Sequence, residues 1–152
     1  MRTQTKKSTQ GFTIIEVLIV LAIAGLIMAI VFLAVPALRR NANNNSRRSD
    51  AAHLAGIVNE YASNHSGQLP TSGQLQTATA SEKWAIFNAP NGSTVVAGNG
   101  TVGNLTDARV NTGTTCDPTA NPPVIGGASS RSFSVSFQVE TGGTPAAACI
   151  QG

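Results

Sequence analysis

Charge is scarce in this sequence, and aromatic residues are scarcer. Lys, Arg, Asp and Glu together make up 11% of 152 residues, and Phe, Tyr and Trp only 5%. From Ser66 onward, Lys83, Arg109 and Arg131 face Glu82, Asp107, Asp117 and Glu140, with no basic stripe interleaved with aromatics. That gives little support to a dedicated nucleic-acid surface. No Gly-rich phosphate cradle and no nucleophile elbow occurs, so neither a cofactor nor an enzymatic activity is expected. His53 and His65 lie twelve apart without an acidic or cysteine neighbour at ligand spacing, and read as surface histidines. Asp107 and Asp117 are isolated and belong to no D-x-D-x-[DN]-G loop, so no metal site is expected.

In one stretch charge is missing altogether. Val17 to Leu38 is 22 residues without an ionisable side chain. As a helix it spans roughly 33 Å, the thickness of a bilayer's hydrocarbon core. A chain this small has too little additional mass to bury so long an apolar helix, so a membrane-embedded segment is the better reading. The basic residues sit at its two ends: Arg2, Lys6 and Lys7 before it, and Arg39, Arg40, Arg47 and Arg48 after it. Without the first eleven residues the remainder carries seven basic and seven acidic side chains. With basic residues on both sides, charge bias alone does not orient the span.

Cysteine is nearly absent as well. Cys116 and Cys149 are the two present, both in the C-terminal quarter. Two buried free thiols are one reading. A chain with an export-type segment enters an oxidising compartment, where pairing is the commoner state. A bridge would stabilise a small domain by about 3–4 kcal/mol on the chain-entropy model.

The chain divides at these features. Residues 1–11 are polar and basic, end in Gly11 and read as a targeting leader. Residues 12–38 form the membrane helix, interrupted by Gly25 and Pro36, both tolerated in such helices although proline removes a backbone hydrogen bond and can bend the rod. Residues 39–66 carry an amphipathic continuation, with Leu54, Ile57, Val58 and Tyr61 recurring on one face. Asn41 to Ser46 is weak in helix propensity: either a flexible joint or a solvated part of one continuous helix, with Ser49 or Asp50 available to cap a restart. Asn64-His65-Ser66-Gly67 and Pro70 supply the stop. Residues 67–152 form a head rich in Gly, Thr, Ser and Asn. Ser81 to Phe87 is expected as a short helix or turn that points Trp84 and Phe87 inward, and Thr94 to Ala97 as a short strand. The clearest strand is Ser132 to Glu140, where Phe133, Val135, Phe137 and Val139 alternate with polar residues. The expected fold class is α+β: a long N-terminal hydrophobic and then amphipathic helix packed on a small antiparallel sheet.

Glu16 is the residue that the apolar segment does not explain. A carboxylate at membrane depth costs on the order of 3 kcal/mol at the centre and less near the interface. It is tolerated if it snorkels to the headgroups and favours the helix N-terminus. Its neighbours give it a use. Lys6-Lys7-Ser8-Thr9-Gln10-Gly11-Phe12-Thr13-Ile14-Ile15-Glu16, running straight into the span, resembles the class III leader of type IV prepilins: a basic leader ending in glycine, then phenylalanine, then glutamate four residues later.

The resemblance covers residues 1 to about 65 and implies a set of roles. A membrane peptidase would cut between Gly11 and Phe12 and methylate the new N-terminal Phe12. Glu16 would be the assembly carboxylate, pairing with the Phe12 amine of a neighbouring subunit. Gly25 and Pro36 would bracket a region that loses helicity in the filament. A C-terminal disulfide loop is common among such pilins, and Cys116–Cys149 fits one. The implied partners are further copies of the chain, the prepilin peptidase and methylase, and an inner-membrane assembly platform driven by an ATPase. The subunit would begin as a single-pass membrane protein with its N-terminus inside and end in an extracellular filament of the kind used in adhesion and twitching motility. The alternatives are a pseudopilin of a type II secretion or DNA-uptake system, and a generic membrane-anchored extracellular domain.

Overall fold

The computed structural model of the protein describes residues 11–87, 93–97, 102–117, 119, 124–126 and 131–152. The leader up to residue 10 lies outside them. The longest element is helix α1, Ile14–Asn64, which contains both Gly25 and Pro36. Two compact units divide within it, one ending at Ala37 and the other running from Leu38 to Gly152.

The second unit answers why the asparagine-rich stretch is helical at all. No break occurs between Asn41 and Ser46, and α1 is continuous through them. Weak local propensity is overridden by tertiary bonds. The side-chain amide of Asn44 donates through Nδ2 to the Glu140 carbonyl (2.7 Å) and accepts through Oδ1 from the Glu140 amide (2.8 Å). Arg47 is 4% exposed. Its Nε donates to the Leu105 carbonyl (3.0 Å), Nη1 to Asn44 Oδ1 (3.0 Å) and Nη2 to Glu140 Oε1 (2.7 Å). Asp50 caps no restart. It is buried, and its carboxylate accepts from the amides of Ala85 (3.1 Å), Ile86 (2.8 Å) and Phe87 (3.0 Å).

The buried face of α1 continues through Ala51, Leu54, Ala55 and Val58, while Ile57 and Tyr61 are half-buried at its margin. The helix stops where expected. Ser66 and Gly67 both take positive φ, and the amides of His65 and Gly67 return to the Ala62 carbonyl. A second helix, α2 (Ser72–Thr79), goes beyond the sequence expectation. Thr71 and Gln74 form a capping box at its start, and it buries Leu75 and Thr79. Ser81 to Phe87 is not regular helix; it is a turn that buries Phe87 and half-buries Trp84.

The sheet has the order β1 (Ser93–Ala97), β2 (Ala108–Thr112), β5 (Phe133–Val139), β6 (Ala146–Gln151). β2, β5 and β6 are antiparallel neighbours, and β1 joins the edge of β2 in parallel. A separate antiparallel ribbon is formed by β3 (Thr114–Cys116) and β4 (Val124–Gly126). Ala108, Val110, Phe133, Val135 and Phe137 share one core cluster with the α1 face, Leu75 and Phe87. The opposite side of β5 is covered too. Ser134 and Ser136 are buried, and Ser134 Oγ bonds Thr114 Oγ1 (2.8 Å) while Asn111 Nδ2 donates to Ser136 Oγ (3.0 Å). Gly113, at φ +68°, turns the chain out of β2 so that Thr114 can begin β3. The Cys116–Cys149 disulfide then ties β3 to β6 across 33 residues of sequence.

The Arg47 hydrogen bond holds the Glu140 carboxyl below its ordinary value, against a smaller opposing effect of desolvation. A depressed folded value contributes stability above the unfolded glutamate value, about 4.3, and loses it as pH falls through the folded one. The head of detergent-solubilised protein should therefore melt at progressively lower temperature as pH is taken from 6 toward 3, with the drop reduced in Glu140→Gln. Identical pH slopes in the two proteins, read by thermal circular dichroism, would show that this pair adds nothing.

Candidate functional site: the start of the apolar helix

Gly11, Phe12 and Thr13 precede α1 outside regular structure, and Phe12 is 89% exposed. The reason the helix begins at Ile14 is local. Thr13 Oγ1 accepts from the Glu16 amide (3.4 Å), and Glu16 Oε2 accepts from the Thr13 amide (2.8 Å) and the Thr13 hydroxyl (2.7 Å). This is a capping box, in which the N-cap side chain and the third helical residue satisfy each other's backbone amides. Both bonds to the carboxylate end on Oε2. Thr13 goes beyond the residues anticipated from sequence; its signal is the T-x-x-E spacing itself.

Beyond Glu16 the helix is apolar and uncovered. Leu18, Leu21, Leu26, Ile30 and Leu33 are all more than half exposed, and none of the most apolar 18-residue stretch of α1 is buried. This helix is long and apolar enough to cross a membrane. An apolar surface so extended needs lipid or other helices around it.

Gly25 and Pro36 lie within α1, and the Cys116–Cys149 bridge lies in the second unit. The remaining candidate residues are used locally. Asp107 accepts from Asn104 Nδ2 (2.9 Å), and Asp117 from the amide and hydroxyl of Thr119 (2.8 and 2.6 Å). His53 meets Glu82 at 3.3 Å, with its ring tilted 34° to that of Trp84, a partnership that sequence spacing does not reveal. His65 lies face to face with Tyr61 at 3.8 Å. Among the described residues no three His, Cys, Asp or Glu side chains gather where they could hold a metal ion.

A family model of the prokaryotic N-terminal methylation motif matches residues 6–32. That motif is the class III leader of type IV pilin-like proteins. No curated protein and no solved structure matches the chain. The N-terminal segment thus carries a motif of type IV pilin- and pseudopilin-like proteins, and that motif points to a structural subunit. The motif implies processing by a prepilin peptidase, and with the apolar helix it fits a membrane-anchored precursor.

Thr13→Ala should weaken the first turn of α1 by about 1 kcal/mol, the usual loss for an N-cap hydroxyl. In detergent micelles the amides of the first turn should then exchange roughly five-fold faster, while those beyond Val20 keep their rates. Unchanged exchange at Val17, whose amide reaches back to the Thr13 carbonyl, would show that the cap does not set the helix start.

Proposed function

We propose that this protein is the pilin of a type IV pilus-like surface filament. The observation that carries the reading is Glu16, four residues after Phe12, at the head of an uncharged and uncovered helix that bears the methylation motif. On this reading hydrolysis of the Gly11–Phe12 bond leaves a carboxylate on the departing leader and a protonated amine on Phe12, which is then methylated. The subunit waits in the cytoplasmic membrane with its N-terminus inside. An ATPase-driven platform lifts it into a growing filament, where Glu16 meets the Phe12 amine of a neighbour.

The local geometry supports that docking role. Thr13 engages only Oε2 of Glu16, so Oε1 has acceptor capacity left for an ammonium. A pair formed only on docking specifies axial register, because a slipped helix leaves two charges unpaired in an apolar environment. Gly25 and Pro36, inside α1, are the positions where the helix would loosen in the filament.

Two experiments test this. Gly11→Val, which puts a branched side chain before the cut, should leave uncleaved precursor in the membrane; surface protein whose intact mass begins at Met1 would sink the processing step. Glu16→Ala should leave membrane insertion, cleavage and the disulfide in place and abolish most fibres, at a cost of several kcal/mol for the unpaired amine. Glu16→Asp should fall between. Fibres of wild-type number and length from the alanine variant would make Glu16 an interfacial residue only, and short periplasm-spanning assemblies in place of surface fibres would favour a pseudopilin.

A further inference from the structure

The second unit contains a groove whose lining is acidic and aromatic. Two adjoining clefts between the last turns of α1 and helix α2 share Tyr61, His65 and Ala78. Glu60 and Glu82 edge one, and Gln74 and Thr77 edge the other. No Lys or Arg lines either cleft. Tyr61 and His65 stack in parallel, fixed by the His65 Nδ1–H donating to the Tyr61 carbonyl at 2.8 Å. Glu82 already meets His53 at 3.3 Å, whereas Glu60 is exposed and makes no ion pair among the described residues. A carboxylate beside a fixed aromatic wall matches a guanidinium, which pairs with the one and lies flat on the other.

The same unit carries the complementary group. Arg48 is exposed and makes no ion pair among the described residues. Arg40 is placed beside Gly142 and acts on Glu140. Arg39 directly follows the uncharged span, Lys83 is adjacent to Glu82 in the sequence, Arg109 is half-buried, and Arg131 lies against Gly67 of its own chain. At 3.6 residues per turn, Arg48 falls on one flank of the buried α1 face and the groove on the other, roughly 170° around the helix and about 19 Å further along it. Arg48 therefore cannot reach the groove of its own subunit. Donor and acceptor patches that differ in position and angle make a heterologous contact, which builds an open helical array when its rotation does not close a ring.

We propose that the groove at Glu60, Tyr61, His65 and Glu82 receives Arg48 of a second copy of this chain, as a lateral contact between neighbouring heads. The proposal rests on the filament reading above and adds to it a head-to-head site independent of Glu16.

The experiment is a charge swap in the full-length protein in cells. Arg48→Glu and Glu60→Arg should each reduce surface fibres at least about tenfold, the scale of reversing one member of a close pair. The double variant should recover them, since the swapped charges attract again. Both positions are exposed, and membrane level, N-terminal processing and the disulfide are measured in every strain. In parallel, Arg48→Cys with Glu60→Cys, treated on intact cells with a short bis-maleimide, should give a ladder of multimers, which neither single cysteine gives. The two native cysteines are bonded to each other and do not react. Wild-type fibres together with single variants at wild-type fibre counts, or fibres that yield no ladder, overturn the Arg48 contact alone. A ladder band containing a different protein also overturns it, by placing another partner in the groove. A wild-type strain that makes no fibres overturns the filament reading, and this contact with it.

Discussion

The head depends on a single buried arginine. Arg47 enters the interior with all three guanidinium nitrogens engaged: one on the Leu105 carbonyl, one on Asn44 and one on Glu140. Burying a charge is tolerable only when its donors are satisfied, and removing one partner of such a set is far costlier than never having built it. Because these partners come from a loop, from α1 itself and from the residue that follows β5, the arrangement sets how the helix lies against the sheet. Asn44 reinforces it by pairing with both backbone groups of Glu140, as a neighbouring strand would. One turn further on, Asp50 gathers three consecutive amides of the Ala85–Phe87 turn. The aliphatic face from Ala51 to Val58 then packs onto a sheet whose position polar bonds have already specified.

The two ends of α1 differ in what covers them. From Leu38 onward the helix is stabilised by contacts with its own chain, so it can carry asparagines and small residues that would be poor helix formers alone. Before that point no side chain is buried and no polar residue interrupts the apolar surface after Glu16. In a membrane, which the length and composition of this stretch fit, the backbone would have no alternative to internal hydrogen bonding, and helix would be imposed whatever the β-branched content. The β-rich part of the head solves a third problem. Its sheet is narrow, yet β5 is buried on both sides, one in the core cluster with α1 and the other under β3, where the Thr114 hydroxyl bonds Ser134 and the Asn111 carbonyl, while Asn111 and Ser136 bond within the sheet. The disulfide is placed where that second layer would otherwise be held by few contacts, joining β3 to an edge strand.

What could be read in the sequence follows the length scale of the signals. The apolar run, the leader motif, the stop at His65 to Gly67, and the strand from Phe133 to Val139 are each written in adjacent residues. The α+β class, a helix on a small antiparallel sheet closed by Cys116–Cys149, follows from those. The fate of Asn41 to Ser46 is decided elsewhere, by Glu140, nearly a hundred residues away, and no local pattern could choose between joint and helix. The role of Asp50 was hidden for the same reason: a helical aspartate looks like a cap until the turn that it binds is known. Two signals were present and local. Thr71-x-x-Gln74 announces α2, and Thr13-x-x-Glu16 announces the start of α1, each through capping-box chemistry.

That second capping box bears on how assembly is timed under the proposed function. Before cleavage the nitrogen of Phe12 is a neutral amide, which can donate a hydrogen bond but cannot pair with a carboxylate as a cation. Glu16 meanwhile has an intramolecular partner in Thr13, which offsets part of its desolvation cost while the subunit waits in the membrane. Cleavage changes the nitrogen and leaves the carboxylate alone: it creates a positive charge that has no partner of its own. The drive to dock therefore originates at Phe12, while Glu16, held at Oε2 and open at Oε1, is a preoriented acceptor. An uncleaved precursor would have the acceptor without the cation, so removal of the leader would act as the chemical gate that keeps precursors from entering a filament.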